Sequence, residues 1–202
     1  MQIENKIIVG FDKTDKHLFI PKTIVGADYA IADLMNFEPF ENIIVEEGNE
    51  HFYMQDGCLI WRDKKALMLA LQGAKIPDDG SVTTIAGGAF MYHDTLKEIK
   101  IPGRIREIRY SAFANTGLEK VTLNEGLKVL DAYAFGFNDN LQELAIPKSV
   151  RKIVTHDILE QVTMIAESGY RDKLYNVYKN SRAYMWARKN GLKIKLREED
   201  KK

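Results

Sequence analysis

Two hydrophobic patterns alternate along the chain. In the first, an aliphatic residue is followed four positions later by Ala-Phe: Ile85 with Ala89-Phe90, Ile108 with Ala112-Phe113, Leu130 with Ala134-Phe135. The phenylalanine returns after 23 and then 22 residues, and a degenerate copy follows at 153–158. The second pattern is apolar-x-x-apolar-x-apolar: Leu96, Ile99, Ile101, then Leu118, Val121, Leu123, then Leu141, Leu144, Ile146, with an earlier copy at Phe40, Ile43, Val45. In x-apolar-x-apolar the side chains alternate across a strand, aliphatics inward and their neighbours outward. Ile-Pro closes the pattern at Ile20-Pro21, Ile76-Pro77, Ile101-Pro102 and Ile146-Pro147, which uses four of the five prolines. A proline cannot donate a ladder hydrogen bond, so each strand is expected to stop there.

A unit of 22–23 residues cannot bury its apolar side alone, but stacked units bury it against one another. The spacing therefore predicts a solenoid with one parallel strand per coil. A short turn or helical segment led by the phenylalanine would bring the chain back. Phe90, Phe113 and Phe135 should form one buried ladder, with Ile158 at its end. Along the chain, residues 1–21 read as an N-terminal hairpin cap in which 7–11 and 17–20 flank a turn at 12–16. Residues 22–160 read as the solenoid. Within it, 49–75 form a hairpin insertion whose strands 59–61 and 66–71 flank 62–65. Residues 161–202 read as a C-terminal helix–strand cap. There Ser181 is suited to an N-cap. Ala183, Trp186 and Ala187 share a helical face, Gly191 suits a left-handed terminus, and Leu192, Ile194 and Leu196 alternate with Lys193, Lys195 and Arg197 as a charged edge strand. Trp186 and Ala187 are expected to turn toward the last coil.

Composition then excludes more than it selects. Lys plus Arg and Asp plus Glu are 29 each, so the net charge is zero. A neutral chain is a poor overall match for nucleic acid or anionic lipid. The single cysteine excludes an internal disulfide framework and a cysteine-based zinc site. No apolar run reaches the length of a membrane span. The start of the sequence lacks a secretory pattern. On its face that places the chain in the cytoplasm; a chain relieved of a leader would belong at the cell surface or outside.

None of the familiar catalytic or nucleotide-binding motifs is present. Gly87-Gly88 lacks the Lys-Ser/Thr of a phosphate loop, and its repeat partners Tyr110-Ser111 and Ala132-Tyr133 identify it as a permissive turn. His17, His51, His93 and His156 lie in different units without ligand spacing. Cys58 reads as a small packed side chain. Asp12 to Asp15 lacks the glycine and glutamate of a calcium loop and reads as a turn. His51-Phe52-Tyr53 and Trp61 read as packing of the hairpin onto the solenoid, with an exposed binding edge on the hairpin as the alternative. The basic run 193–197 is offset by Glu198, Glu199 and Asp200. No cofactor or metal is expected, and no catalytic residue.

The residues Ile-x-x-x-Ala-Phe followed by Leu-x-x-Ile-x-Ile-Pro resemble the BspA-type leucine-rich repeats of bacterial proteins. Two further stretches resemble that family's other units. Asn49, Asp56-Gly57-Cys58-Leu59 and Lys65-Ala66-Leu67 are similar to its hairpin insertion. Ser181 to Tyr184, Trp186-Ala187 and residues 190–194 are similar to its closing unit. The resemblance covers roughly residues 17–196 and implies a right-handed leucine-rich α/β solenoid, with surface adhesion as the expected role.

Stacking sets the outward strand positions in rows: Glu41, Lys97, Glu119, Gln142; then Asn42, Glu98, Lys120, Glu143; then Ile44, Lys100, Thr122, Ala145. Glu98, Lys120 and Glu143 should form a cross-strand charge row. Such a self-neutralised face suits a polypeptide better than a polyanion. The candidate protein-binding face is therefore Lys97, Glu98, Lys100, Glu119, Lys120, Thr122, Gln142 and Glu143. The expected function is a non-enzymatic module binding a protein or peptide. The alternative is a cytoplasmic structural or scaffold domain of a larger assembly.

Overall fold

The computed structural model describes residues 1–10, 16–27, 39–153 and 173–197. Among them the chain is a mostly-strand β-solenoid of about seven coils with one helix. Its strands are β1 (Gln2–Glu4), β2 (Ile7–Gly10), β3 (His17–Ile20), β4 (Gly26–Ala27), β5 (Asn42–Val45), β6 (Phe52–Gln55), β7 (Cys58–Trp61), β8 (Ala66–Ala70) and β9 (Thr84–Ile85). They continue as β10 (Glu98–Ile101), β11 (Glu107–Ile108), β12 (Lys120–Leu123), β13 (Val129–Leu130), β14 (Glu143–Ala145), β15 (Lys152–Ile153), β16 (Leu174–Tyr178) and β17 (Lys193–Arg197). The helix α1 (Arg182–Lys189) joins the last two strands.

The apolar-x-apolar segments form the longer strands. β10 pairs in parallel with β12, Glu98 opposite Lys120 and Ile101 opposite Leu123. β14 lies beside β12 and pairs in parallel with β16, which pairs in parallel with β17. Ile101, Leu123, Leu144 and Ile146 are buried, as the alternation requires.

The coil carries more strand than the single one expected. The two-residue strands β9, β11, β13 and β15 form a second parallel ladder, Thr84 beside Glu107, Glu107 beside Val129 and Val129 beside Lys152. The reason is backbone accounting. A coil stacked between two others buries its peptide groups on every side, and the neighbouring coil is their partner. Even the returning turns follow this rule: Phe90 N–H donates to the Ala112 carbonyl and Phe113 N–H to that of Ala134, both at 2.8 Å. The turns require left-handed backbone at matching places. Gly88, Ser111 and Tyr133 have φ of 66°, 51° and 54°, so the slot inferred from Gly87-Gly88 is a turn position that two non-glycine residues also occupy.

The N-terminal hairpin differs from the expectation of 7–11 against 17–20. β2 pairs antiparallel with β1 and parallel with β4, while β3 pairs in parallel with β5, His17 beside Asn42 and Ile20 beside Val45. β3 is thus a solenoid rung. Leu18 and Ile20 point inward to 4% and 0% exposure, a burial that a two-stranded hairpin cannot supply. The turn at 11–15, residues 28–38 of the first coil, and His156 and Ile158 lie outside the described residues.

The insertion is a partition rather than an appendage. β6, β7 and β8 form an antiparallel meander, and β8 joins β9 in parallel, so the meander extends the short-strand ladder into one seven-stranded sheet. Cys58, Ile60 and Leu67 face the core of the C-terminal coils, whereas Phe52, Leu59, Ala66 and Met68 face the core of the N-terminal ones. Burial on both faces explains the uninterrupted apolar run Cys58-Leu59-Ile60. Phe52 stacks on Trp61 with ring centroids 5.7 Å apart, so these aromatics pack the sheet.

In the C-terminal core Phe113 stacks between Phe90, at 4.9 Å, and Phe135, at 5.1 Å. Three residues after each phenylalanine comes a polar slot: His93, Thr116, Asn138. The buried Asn138 side chain accepts from Thr116 N–H and hydroxyl at 2.9 and 2.6 Å and donates to the Phe113 and Gly136 carbonyls at 2.7 and 3.1 Å. Its own carbonyl accepts from the buried Lys173 ammonium at 2.7 Å. Around α1, Ser181 Oγ accepts from Tyr184 N–H at 3.1 Å, Gly191 has φ +63°, and Ala183 and Ala187 are fully buried. Trp186 meets Tyr175 edge-on at 5.3 Å.

Phe113→Ala leaves a void flanked on both sides and is expected to cost about 3–5 kcal/mol in urea melts, more than either Phe90→Ala or Phe135→Ala. Asn138→Ala leaves turn N–H and carbonyl groups without partners and is expected to cost about 2–4 kcal/mol by the same measurement. Burial pushes the Cys58 thiol up to about 12. In the unfolded chain it ionises near the ordinary cysteine value, about 8.5, so between these limits the unfolded state sheds a proton that the folded state keeps. Stability is accordingly expected to fall as pH rises from about 9 toward 12, with Cys58→Ala flattening that slope, and a thiol reagent at pH 8 should label Cys58 only after urea is added.

Candidate functional site

The long strands display their outward residues on one face because the inward ones are committed to the core. Lys97, Glu98, Lys100, Glu119, Lys120, Thr122, Gln142 and Glu143 are all exposed. Lys97 and Glu119 pair at 3.9 Å, and Glu98 and Lys120 at 3.2 Å. Lys100 stands opposite Thr122. The row does not run on to Glu143 by charge. Glu143 is opposite Leu174 and accepts from Asn176 Nδ2 at 3.0 Å. Gln142 turns back to donate to the Asp139 carbonyl at 2.8 Å. The structure thus brings the candidate residues of β10 and β12 into contact as two ion pairs and sets Gln142 and Glu143 beyond them.

The equivalent long strands of the N-terminal coils, β3 and β5, form a separate two-stranded sheet where the charge pairing repeats: Lys16 and Glu41 are 3.3 Å apart. Beside that pair Phe19 stands opposite Ile44, each 51% exposed. Large apolar side chains adjacent on an outward sheet surface are the kind of feature that marks contact with another molecule. Phe19 is absent from the sequence-derived rows because its strand is read there as hairpin. The signal for it is present in Ile20-Pro21, the pair that also follows β10 as Ile101-Pro102 and β14 as Ile146-Pro147.

The remaining chemistry is dispersed. His51 Nδ1 lies 2.6 Å from Asp63, and this hydrogen bond holds the Asp63 carboxyl below the ordinary carboxylate range. The His93 ring nitrogens lie 3.1 Å from the Ala70 carbonyl and 3.2 Å from that of Met91, inside the turn. Cys58 donates to the Lys75 carbonyl at 3.4 Å. Among the described residues no group of three His, Cys, Asp or Glu side chains is placed to hold a metal, and no helix is long and apolar enough to cross a membrane.

Likeness to known proteins follows the fold. The crystal structure of the pneumococcal vaccine antigen PcpA aligns over 91% of this chain and 56% of its own, with a TM-score of 0.60 at 19% identity. This chain therefore spans little more than half the length of that protein. A leucine-rich repeat protein from Bacteroides capillosus aligns over 55% of this chain and 91% of its own at 26% identity and a TM-score of 0.46. One from Eubacterium ventriosum aligns over 69% and 57% at 19% identity and a TM-score of 0.33. No curated protein matches the chain. The family model for the BspA type leucine rich repeat region matches residues 68–181 in six copies. With its stacked parallel rungs and phenylalanine ladder, the chain belongs to the BspA-type leucine-rich repeat family.

Proposed function

We propose that the chain is a non-enzymatic interaction module that holds a protein partner against its outer strand face, in the manner of an adhesion domain. The single observation that carries this reading is the composition of that face. Four of its charges are already paired, Lys97 with Glu119 and Glu98 with Lys120, and on the equivalent long strands of the N-terminal coils Phe19 and Ile44 stand outward. Exposed ion pairs contribute about 0–1 kcal/mol each to stability, so the fold has little need of them there. A mixed surface with an apolar end discriminates among polypeptides by register and charge pattern. Family membership supports the same direction, since repeat solenoids of this kind commonly act as scaffolds for binding.

Photo-crosslinking from position 122 in producing cells is expected to give a discrete adduct with one polypeptide. Replacing Phe19 and Ile44 by serine is expected to reduce the adduct at least about 5-fold, the scale of losing an apolar anchor. A crosslinker at position 188, on α1, should give no such adduct. Absence of a discrete adduct from position 122 would reject the strand face as the binding surface. Protease shaving of intact cells separates the two settings: release of the protein supports surface display, and full protection supports a cytoplasmic scaffold.

A further inference from the structure

A second surface lies at the corner between the long and the short strands of each coil. There the inward column Val82, Ile105, Leu127, Val150 and the inward column Ile85, Ile108, Leu130, Ile153 are separated by two outward positions. The first outward column is Thr83, Arg106, Lys128, Arg151. Its stacking is recorded by the backbone: Arg106 N–H donates to the Thr83 carbonyl at 2.7 Å, Lys128 N–H to that of Arg106 at 2.7 Å, and Arg151 N–H to that of Lys128 at 2.9 Å. Successive members are therefore one strand spacing apart, about 4.8 Å. Arg104 precedes this column, and Lys152 follows it in the second outward column, opposite Val129. Arg104, Arg106, Arg151 and Lys152 are exposed and Lys128 is half-buried.

This corner breaks the charge rule of the strand face. On the strand face Lys120 stands beside Glu98 and Lys97 beside Glu119; here three cations stand beside one another. The nearby carboxylates are engaged elsewhere. Glu107 pairs with Arg109 at 2.5 Å, and Glu125 accepts from the backbone N–H groups of Lys148 and Ser149 at 3.2 and 3.1 Å. No described carboxylate makes an ion pair with Arg106, Lys128 or Arg151. Arg106 spends one N–H on the Gly103 carbonyl at 2.9 Å, which steadies its guanidinium. Like charges on adjacent strands oppose each other, so the column costs the fold stability instead of adding to it.

We propose that Arg106, Lys128 and Arg151 form a docking ridge for a short acidic polypeptide segment, distinct from the strand face. The ridge is three coils long, about 10 Å from first to last cation, which matches three or four residues of extended chain. That length is short for a polyanion, whose affinity comes from many phosphate or sulfate contacts. Among the described residues the two outward columns at this corner hold no aromatic side chain, whereas single-stranded nucleic acid is held on aromatic platforms.

Titration of a fluorescein-labelled oligoglutamate peptide at low ionic strength tests the assignment. The full chain is expected to bind it, with affinity weakening as salt shortens the screening length. The variant Arg106→Gln/Lys128→Gln/Arg151→Gln is expected to lose at least about 10-fold in affinity, and Lys128→Gln alone an intermediate amount. The comparison variant Lys97→Gln/Lys120→Gln, altered on the strand face, should bind like the parent; no core side chain is touched in any variant, and the triple variant should melt at or above the parent because the opposition of like charges is relieved. Equal loss in the strand-face variant would overturn the ridge as the site, as would unchanged binding in the triple variant. Tighter binding of heparin or a single-stranded oligonucleotide than of oligoglutamate would overturn the acidic polypeptide as the partner class. Because this readout does not involve position 122, its failure leaves the strand-face crosslink to stand or fall separately.

Discussion

The structure depends on one constraint: each coil needs the next coil as the hydrogen-bond partner of its backbone. The ladders of β10 with β12 and of β9 through β15 satisfy that need along two sides, and the turn bonds from Phe90 to Ala112 and Phe113 to Ala134 satisfy it along a third. An inserted or deleted residue within a rung would break its match of N–H to carbonyl with both neighbours and turn inward side chains outward, whereas the turns absorb the one-residue difference between coils of 23 and 22. The sequence period is the consequence, because only coils of nearly equal length keep three sides in register at once. The phenylalanine ladder is the same constraint seen in the core. Rings at 4.9 and 5.1 Å repeat the strand spacing, so each ring position demands an equivalent ring in the neighbouring coil.

The antiparallel meander alters this logic without breaking it. By joining β8 to β9 in the short-strand ladder, it lets the chain reverse direction twice and still hand on a parallel rung. It also divides the interior. Cys58 and Ile60 serve one core and Leu59 the other, so the N-terminal coils can differ in packing from the C-terminal ones. On the outer face both sets of coils carry charge pairs, and the N-terminal coils add the exposed Phe19 and Ile44.

How much of this the sequence carries depends on whether a feature repeats. The phenylalanine ladder, the long strands and the capped helix are legible because Ala-Phe, apolar-x-apolar-Pro and Ser181 report local rules that three coils or one helix obey. The hairpin β7–β8 is legible from Arg62 to Lys65 between apolar runs. The second ladder is not, because Thr84-Ile85 and Glu107-Ile108 are too short for an alternation to declare itself; only the stacking of coils makes them strands. Asn138 is equally hidden, since His93, Thr116 and Asn138 share a slot without sharing a chemistry. β3 is misread for the opposite reason. Its closeness in sequence to β2 suggests a hairpin, but burial of Leu18 and Ile20 is worth more than a short turn, and the strand pairs with β5, 25 residues on, instead.

Repetition also explains why functional surfaces on this chain are columns and not pockets. A position outside the core is free to vary, but whatever it holds is set beside its equivalents at strand spacing. Opposite charges at such a position cancel, as on β10 and β12; like charges accumulate, as at Arg106, Lys128 and Arg151. Neutral net charge for the whole chain is therefore compatible with strong local fields, because balance is struck between columns and not within each one. The columns that fail to cancel cost stability that the core must offset, which makes them the positions where selection for folding alone gives no account of the residue present. Phe19 beside Ile44 fails in the same sense for apolar surface. What the solenoid offers a partner is thus written in its unbalanced columns, and the balanced ones between them fix how far apart those offers lie.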